Sequence, residues 1–95
     1  MKVMKKKASF GKLERLIKGF ANRRRLAILE LLKRKPELSV DEIAEELKLG
    51  YMNASDHIRK LAIAGLVLKR NVGNNVRHKL TDRAKSVLEF CKILE

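Results

Sequence analysis

The sequence predicts a mainly α-helical α+β domain with the element order α-α-α-α-β-β-α. Apolar residues recur at helical spacing over about the first two thirds of the chain and again over residues 82–95. Between these two stretches the period changes to that of two short β-strands around a Gly/Asn turn. With 95 residues, the chain is predicted to form a single domain spanning 1–95.

The first two helices are predicted from apolar spacing and from residues that cap or stop a helix. The first pattern starts at Ser9, and Asn22 can cap the second helix through its side-chain oxygen. Pro36 ends the second helix, because the residue before a proline is pushed out of the α region. The apolar stripe of the first helix consists of Phe10, Leu13, Leu16, Ile17 and Phe20.

A third, short helix and a fourth helix are predicted next. Ser39 and Glu42 have the spacing of a capping box, in which each side chain bonds the other residue's backbone amide. Gly50 lies where the third helix is expected to end and the chain to turn. The fourth helix is predicted from about Tyr51 to Ala64, with Gly65 stopping it.

A β-hairpin and a last helix complete the prediction. Strands over 66–72 and 76–80 flank Gly73-Asn74-Asn75, a sequence typical of a tight turn. Thr81 or Asp82 then caps a helix over 82–95. One stripe of that helix consists of Ala84, Val87, Leu88, Cys91 and Leu94, and Phe90 and Ile93 add a second apolar edge.

Charge is high and unevenly distributed. The formal net charge is +12 and the sequence pI is about 10.3, which favours a polyanionic partner. Residues 1–35 carry a net +11, residues 36–50 carry −4, and residues 51–95 carry +5. Residues 1–8 form a basic N-terminal tail, which is interpreted either as an arm that contacts phosphates or as a solvated terminus.

A short capped helix, a turn, a second helix and a basic hairpin are the parts of a winged helix-turn-helix. Five segments resemble the arsenic-repressor (ArsR) family of winged-helix regulators. In chain order they are 20–29 (FANRRRLAIL), 38–44 (LSVDEIA), 55–61 (SDHIRKL), 64–67 (AGLV) and 80–81 (LT). The resemblance covers about residues 16–87 and implies a dimeric DNA-binding regulator.

The metal sites known in that family are absent from these segments. Some members carry Cys-Val-Cys in the first helix of the helix-turn-helix, whereas this chain has no cysteine over 38–42. Other members bind zinc through Asp, His and Glu in the last helix, but residues 85–95 contain no histidine. One cysteine and two distant histidines do not supply a zinc or soft-metal ligand set. We therefore expect no cofactor, and neither a metal nor a small-molecule effector is evident.

The outward face of the fourth helix is the candidate for base recognition, and the hairpin is a second candidate for DNA contact. Asn53 can pair with adenine, Asp56 with cytosine, and Arg59 with guanine or a phosphate. The alternative is a solvated face in which Asp56 pairs with Lys60, and hairpin charges also protect an edge strand. The predicted DNA-binding residues are Tyr51, Met52, Asn53, Ser55, Asp56, Arg59, Lys60, Arg70, Asn74, Asn75, Arg77 and Lys79.

The first and last helices carry more apolar surface than a small domain needs, which indicates a homodimer. The predicted dimer residues are Phe10, Leu13, Ile17, Leu88, Cys91 and Leu94, with residues 82–95 as the dimerisation helix. Cys91 is interpreted as a buried hydrophobe rather than a redox sensor. His57 is expected to be a packed, hydrogen-bonded core residue, and His78 a strand residue at the surface. Arg25, in a basic run that opposes a helix dipole, is equally compatible with a structural role and with an anion partner.

These features predict a homodimeric, sequence-specific binder of double-stranded DNA that regulates transcription, in the sense of a repressor. The alternatives are a general nucleic-acid or chromatin-type binder and a winged-helix protein-interaction module. An enzyme is not expected, because the sequence shows no phosphate-binding loop and no nucleophile with a matching base. A single cysteine fits a reducing cytoplasm, and no apolar run approaches the length of a membrane span, so no membrane partner is expected.

Overall fold

The computed structural model describes residues 9–95, and the basic tail over 1–8 lies outside this range. The elements follow the predicted order α-α-α-α-β-β-α. They are α1 (Phe10–Phe20), α2 (Arg23–Arg34), α3 (Val40–Leu47), α4 (Tyr51–Ile63), β1 (Val67–Val72), β2 (Asn75–Leu80) and α5 (Asp82–Leu94). No helix within this range is both long and apolar enough to cross a membrane.

Side-chain caps begin four of the helices, and those of α2, α3 and α5 were predicted. Ser9 caps α1, and the Asn22 Oδ1 accepts from the amides of Arg24 and Arg25 at 2.9 and 3.1 Å. Ser39 forms the complete capping box of α3: its Oγ accepts from the Glu42 amide at 3.2 Å, and its own amide donates to the Glu42 carboxylate at 2.8 Å. Thr81 caps α5. Each cap gives a partner to amides that the first turn of a helix leaves unpaired.

The turn between α3 and α4 corrects one prediction. The left-handed residue that ends α3 is Lys48, at φ +56°, and Gly50 is instead the N-cap of α4 with an ordinary extended backbone. At the other end of α4 the prediction is confirmed, because Gly65 takes φ +76° and stops the helix. That conformation suits glycine, which has no Cβ to clash.

The core lies between α2, α3, α4, the hairpin and the start of α5. Helix α2 contributes the most buried side chains, so it is the central element of the domain. Helix α1 crosses α4 at Gly19, where a Cβ would lie 2.6 Å from the Cβ of Ala64. The fully buried large apolar side chains are Ile28, Leu29, Leu31, Leu32, Ile43, Ile58, Leu61 and Leu66.

The hairpin is tied to the segment before α3, and this corrects the interpretation of His78. The two strands pair antiparallel from Val67↔Leu80 to Val72↔Asn75, and Leu38 adds a single bridge to the free edge of β2. His78 is 1% exposed, and both its backbone amide and its ring Nδ1 lie 2.9 Å from the Leu38 carbonyl oxygen. Side chains alternate along a strand, so the face of β2 that carries His78 and Leu80 is the face that packs on the core.

Candidate nucleic-acid interface

One face of helix α4 packs on the core, and the opposite face is exposed to solvent. Ala54, Ile58 and Leu61 are buried and fix the helix against the core. At its start, Tyr51 is 52% and Met52 79% exposed, and Asn53 is exposed beside them. The first turn of α4 therefore offers an aromatic ring, a thioether and a carboxamide to a partner outside the chain.

The next turns of α4 carry an ion-pair cluster. The Asp56 carboxylate bonds the Arg59 guanidinium, and its other oxygen lies 3.3 Å from the Lys60 Nζ. These two hydrogen-bonding partners, Arg59 first, hold the pKa of Asp56 below its ordinary value. Ser55 is half-buried beside Asp56, whereas Arg59 and Lys60 are exposed. The outward position of the cluster was predicted from the sequence, and the pairing of Asp56 with Lys60 is the one that the alternative of a solvated face had described.

One face of the hairpin carries most of the predicted hairpin residues. The register places Arg70 opposite Arg77, with Lys79 and Asn75 on the same face. Gly73 and Asn74 form the two-residue turn, and Gly73 supplies the positive φ of +61° that such a turn needs. Asn74, Asn75 and Lys79 are exposed at and below the tip.

The two arginines of the hairpin are already engaged within the chain. Arg70 donates from Nε and an Nη to the Glu37 carboxylate at 2.9 and 2.7 Å. Arg77 donates to the Glu37 carbonyl at 2.9 Å and lies 3.5 Å from the Glu42 carboxylate. Hydrogen bonds from Ser39, followed by the charge of Arg77, hold the pKa of Glu42 below its ordinary value. The base of the hairpin is thus tethered to the loop between α2 and α3.

Ion pairs of this kind account for three carboxylates of the segment 36–50, which carries a net charge of −4. Three of its carboxylates pair with basic residues outside it: Glu37 with Arg70, Glu42 with Arg77, and Glu46 with Lys35 at 2.8 Å. Glu37 also sits at φ +65°, a conformation that non-glycine residues rarely adopt. Glu37 was not among the residues predicted to have a function. The sequence signal for its role was an acidic residue directly after Pro36 in a chain whose predicted hairpin is basic.

Two buried side-chain nitrogens lie on the inner side of α4, one from His57 of α4 and one from Arg25 of α2. His57 is half-buried, and its Nδ1 is buried without a hydrogen-bond partner among residues 9–95, as is the Nε of Arg25. The expected hydrogen bond of His57 is therefore not formed at that atom. Burial and then the charge of Arg25 lower the pKa of His57, so the ring is held neutral.

The outer helices leave a broad apolar surface uncovered. In α1, Phe10 is 80% exposed, and Leu13 and Ile17 are also exposed. In α5, Leu88 and Cys91 are half-buried against the core, whereas Phe90, Ile93 and Leu94 are exposed. Within residues 9–95, no group of three or more His, Cys, Asp or Glu side chains is placed to hold a metal ion.

Known proteins share this arrangement. Residues 20–70 match a family model described as a helix-turn-helix domain. The fold is similar to the homodimeric winged helix-turn-helix DNA-binding domain (fragment 1–100) of Mb0332 from Mycobacterium bovis, a possible ArsR-family transcriptional regulator. The two are 25% identical, with a TM-score of 0.82 over 96% of this chain and 89% of that one.

Two further solved structures are similar. HlyU from Vibrio cholerae N16961 is 35% identical, with a TM-score of 0.77 over 90% of this chain and 92% of that one. The antimony-specific transcriptional repressor AntR is 26% identical, with a TM-score of 0.77 over 98% of this chain and 85% of that one. No curated protein matches the chain.

Proposed function

Because the chain belongs to the ArsR-type family of winged helix-turn-helix transcriptional regulators, we propose that it is a homodimeric repressor that binds double-stranded DNA at specific sequences. The observation that carries this proposal is the uncovered first turn of α4. Tyr51, Met52 and Asn53 are exposed there on a helix whose other face is locked into the core. In a helix-turn-helix, the first residues of the second helix contact base edges in the major groove.

Each side chain of α4 has a distinct role in this proposal. The Asn53 carboxamide matches the donor and acceptor pattern of adenine, and Arg59 matches guanine or a phosphate. Asp56 accepts from cytosine or, in the pairing seen here, orients Arg59 towards the DNA. Tyr51 and Met52 supply apolar contact, while Ser55 and Lys60 supply polar and phosphate contacts.

The hairpin divides into a tip that contacts DNA and a base that positions it. Asn74, Asn75 and Lys79 have exposed side chains, which are free to reach the phosphates or the minor groove. Arg70 and Arg77 set the angle of the hairpin through their hydrogen bonds to Glu37. Their remaining N–H donors contact the phosphate backbone of the DNA. This assignment keeps all five hairpin residues at the interface and gives the two arginines a second task.

The dimer uses the exposed apolar side chains of α1 and α5. Burying them removes a large uncovered apolar surface from water. Removal of apolar surface from water is the dominant favourable contribution to the stability of obligate dimers. A two-fold pair places its two copies of α4 in successive major grooves, about 34 Å apart, on a near-palindromic site. The interface residues are Phe10, Leu13, Ile17, Leu88, Phe90, Cys91, Ile93 and Leu94.

Selection of bound duplexes from a random pool tests the base readout. The selected duplex is then compared with a scrambled one for the native chain and for Arg59→Ala, by fluorescence anisotropy at several salt concentrations. We expect Arg59→Ala to weaken the selected duplex at least 5-fold more than the scrambled one, since a good side-chain–base pair contributes about 1–3 kcal/mol. Arg34→Ala is the matched control, because Arg34 also pairs with a carboxylate on its own helix.

Other outcomes of this experiment support the competing functions. If Arg59→Ala weakens both duplexes equally, Arg59 does not read bases. If the native chain itself does not discriminate and only loses affinity with salt, the protein is a general nucleic-acid binder. If no duplex binds at low salt, the winged helix serves as a protein-interaction module.

Sedimentation velocity tests the dimer, and transcription in vitro tests repression. We expect Ile93→Glu to produce a monomer at concentrations where the native chain is dimeric, since a buried unpaired carboxylate is costly at an interface. Leu68→Glu, an equally simple change at an exposed site on the hairpin, keeps the dimer. A promoter that overlaps the selected site should yield less transcript when the chain is added, and more transcript would identify an activator.

A further inference from the structure

A cavity of about 700 Å³ lies between α1, the end of α4 and the start of α5. It is outside the surface proposed for base contacts, apart from Lys60 at its rim. Its volume falls in the range that holds small organic ligands. The lining residues are Lys12, Leu13, Arg15, Leu16, Lys18, Gly19, Arg25, Lys60, Ile63, Ala64 and Arg83.

Six of these eleven residues are cationic, and within residues 9–95 no acidic side chain lines the cavity. Two of the six have a carboxylate partner: Lys18 lies 3.2 Å from Glu14, and Lys60 is paired with Asp56. The other four, which come from three different helices, have no carboxylate within 4.0 Å among the described residues. They are Lys12, Arg15, Arg25 and Arg83.

Arg25 is the innermost of these cations in terms of burial. It is half-buried, and its Nε is fully shielded yet donates no hydrogen bond. Because an unsatisfied buried donor is costly, such a group is compatible with a partner that is not part of the chain. Arg25 was one of the residues for which the sequence left a structural role and an anion partner equally open.

Between the cations, the surface is apolar. Leu13 and Leu16 line it from α1, and Ile63 lines it from α4, where its side chain is 74% exposed. The close contact of Gly19 with Ala64 fixes the crossing of α1 over α4. On the far side, Arg83 is held by a 3.2 Å hydrogen bond to the Ala64 carbonyl.

We propose that this cavity is a binding site for a small organic anion with an apolar body, such as a medium-chain carboxylate. The charged end of the ligand pairs with Arg25, Arg15 and Lys12, and the apolar body covers Leu16 and Ile63, which are not part of the proposed dimer interface. An inorganic anion or a DNA phosphate satisfies only the cations and leaves the aliphatic surface wet. A neutral apolar molecule satisfies only the aliphatic surface and leaves four cations without a counter-charge.

Calorimetric titration with decanoate, below its micellar concentration and without DNA, tests the site. We expect saturable binding by the native chain and at least 10-fold weaker binding of decanol and of decyltrimethylammonium. Ile63→Glu, which removes apolar surface and adds a repelling charge, should weaken decanoate at least 10-fold. Leu68→Glu makes the same kind of change at an exposed aliphatic residue outside the cavity and should leave binding unchanged.

A second pair of variants isolates the charge. Lys12→Gln should weaken decanoate several-fold, and Lys69→Gln, an exposed lysine on the hairpin, should not. Amide chemical shifts of residues 12–19, 63–64 and 83 should move during the titration. Circular dichroism of each variant verifies the fold, so that loss of binding is not loss of structure.

Three results overturn the proposal: equal affinity for decanoate and decanol, equal effects of Ile63→Glu and Leu68→Glu, or shifts confined to residues outside the cavity. If Ile63→Glu instead changes the sedimentation of the ligand-free chain, a second copy occupies this groove and the ligand site is rejected. The assay contains no DNA, so these outcomes are independent of whether the chain is a repressor.

Discussion

Helices α1 and α3 start with the same kind of cap but differ in how far their apolar faces are buried. Each is a short amphipathic helix whose first turn is capped by a serine, Ser9 in α1 and Ser39 in α3. Helix α3 buries Ile43 and Ala44 in the core, whereas α1 has no buried residue at all. In α1, Ile17 remains 49% exposed although it belongs to the apolar stripe of the helix.

The difference shows that an apolar stripe predicts a helix but does not identify what the helix packs on. Helix α3 is enclosed by α2, α4 and the hairpin, so its stripe is used within the chain. Helix α1 touches α4 through one close crossing at Gly19 and leaves its other side open. An exposed apolar face of this kind marks an interaction surface. In the proposed dimer, the partner chain covers that face.

The largest effect on stability is expected from truncating one isoleucine in each helix, Ile43 in α3 and Ile17 in α1. Ile43→Ala should lower the free energy of unfolding by about 2–5 kcal/mol, because it leaves a cavity in a packed core. Ile17→Ala should cost less, and its cost should depend on protein concentration, because the contact that it removes lies between chains. Urea unfolding followed by circular dichroism at two protein concentrations separates the two cases. A loss for Ile17→Ala that is independent of concentration would place its contacts within one chain.

The next effect concerns His78, which holds the segment leading into α3. Burial lowers the pKa of His78 below its ordinary value near 6.5, so the folded protein keeps the ring neutral. The unfolded chain takes up a proton as the pH falls through about 6.5, so this stability is complete above that pH and is lost progressively below it. His78→Ala should cost about 1–3 kcal/mol at pH 7.5, because a buried partner of the Leu38 carbonyl is removed.

Urea unfolding of the native chain, His78→Gln and His57→Gln from pH 8 to pH 5 measures the linkage. We expect His78→Gln to flatten the pH dependence. His57→Gln should flatten it less, because His57 is less deeply buried than His78. If the native chain and His78→Gln show the same slope, protonation of His78 does not limit the stability of the fold at low pH.

The two serine caps are expected to differ by a smaller amount. Ser39→Ala should cost about 1 kcal/mol, because the cap and the Glu42 side chain satisfy two amides together. Ser9→Ala should cost a few tenths of a kcal/mol, because α1 has Lys12 in place of the glutamate and its first turn frays at little cost. Thermal unfolding of both variants at the same protein concentration provides the comparison. Equal costs would show that α1 is as firmly packed as α3.

The smallest effect on stability is expected from the tether of the hairpin. Arg70→Gln should cost at most about 1 kcal/mol, since the Arg70–Glu37 pair is partly exposed to water. Amide hydrogen exchange over 67–80 should nevertheless become faster, because the hairpin loses one of its links to the loop before α3. Lys79→Gln, on the same face but without a carboxylate partner in the part of the chain that the structure describes, should leave exchange unchanged. Unaltered exchange in Arg70→Gln would remove the positioning role of Arg70.

The sequence by itself determined the local structure. Asn22 and Ser39 cap helices where they were predicted to, and Thr81 is the one of two predicted candidates that caps α5, because a cap depends only on residues within three positions along the chain. The hairpin was predictable for the same reason, from Gly73-Asn74 between two β-rich runs. The exposed side chains at the start of α4 also followed from helical periodicity alone.

The tertiary structure decided what these elements face. The bridge from Leu38 to β2 turns His78 inward, and the approach of Glu37 engages Arg70, so both outcomes depend on contacts across more than thirty residues. The αL conformation lies at Lys48, the C-cap of α3, rather than at Gly50, which caps the start of α4. The basic cavity joins α1, α2, α4 and α5. Local spacing carries no information about such distant neighbours, so only the folded chain places their cations together.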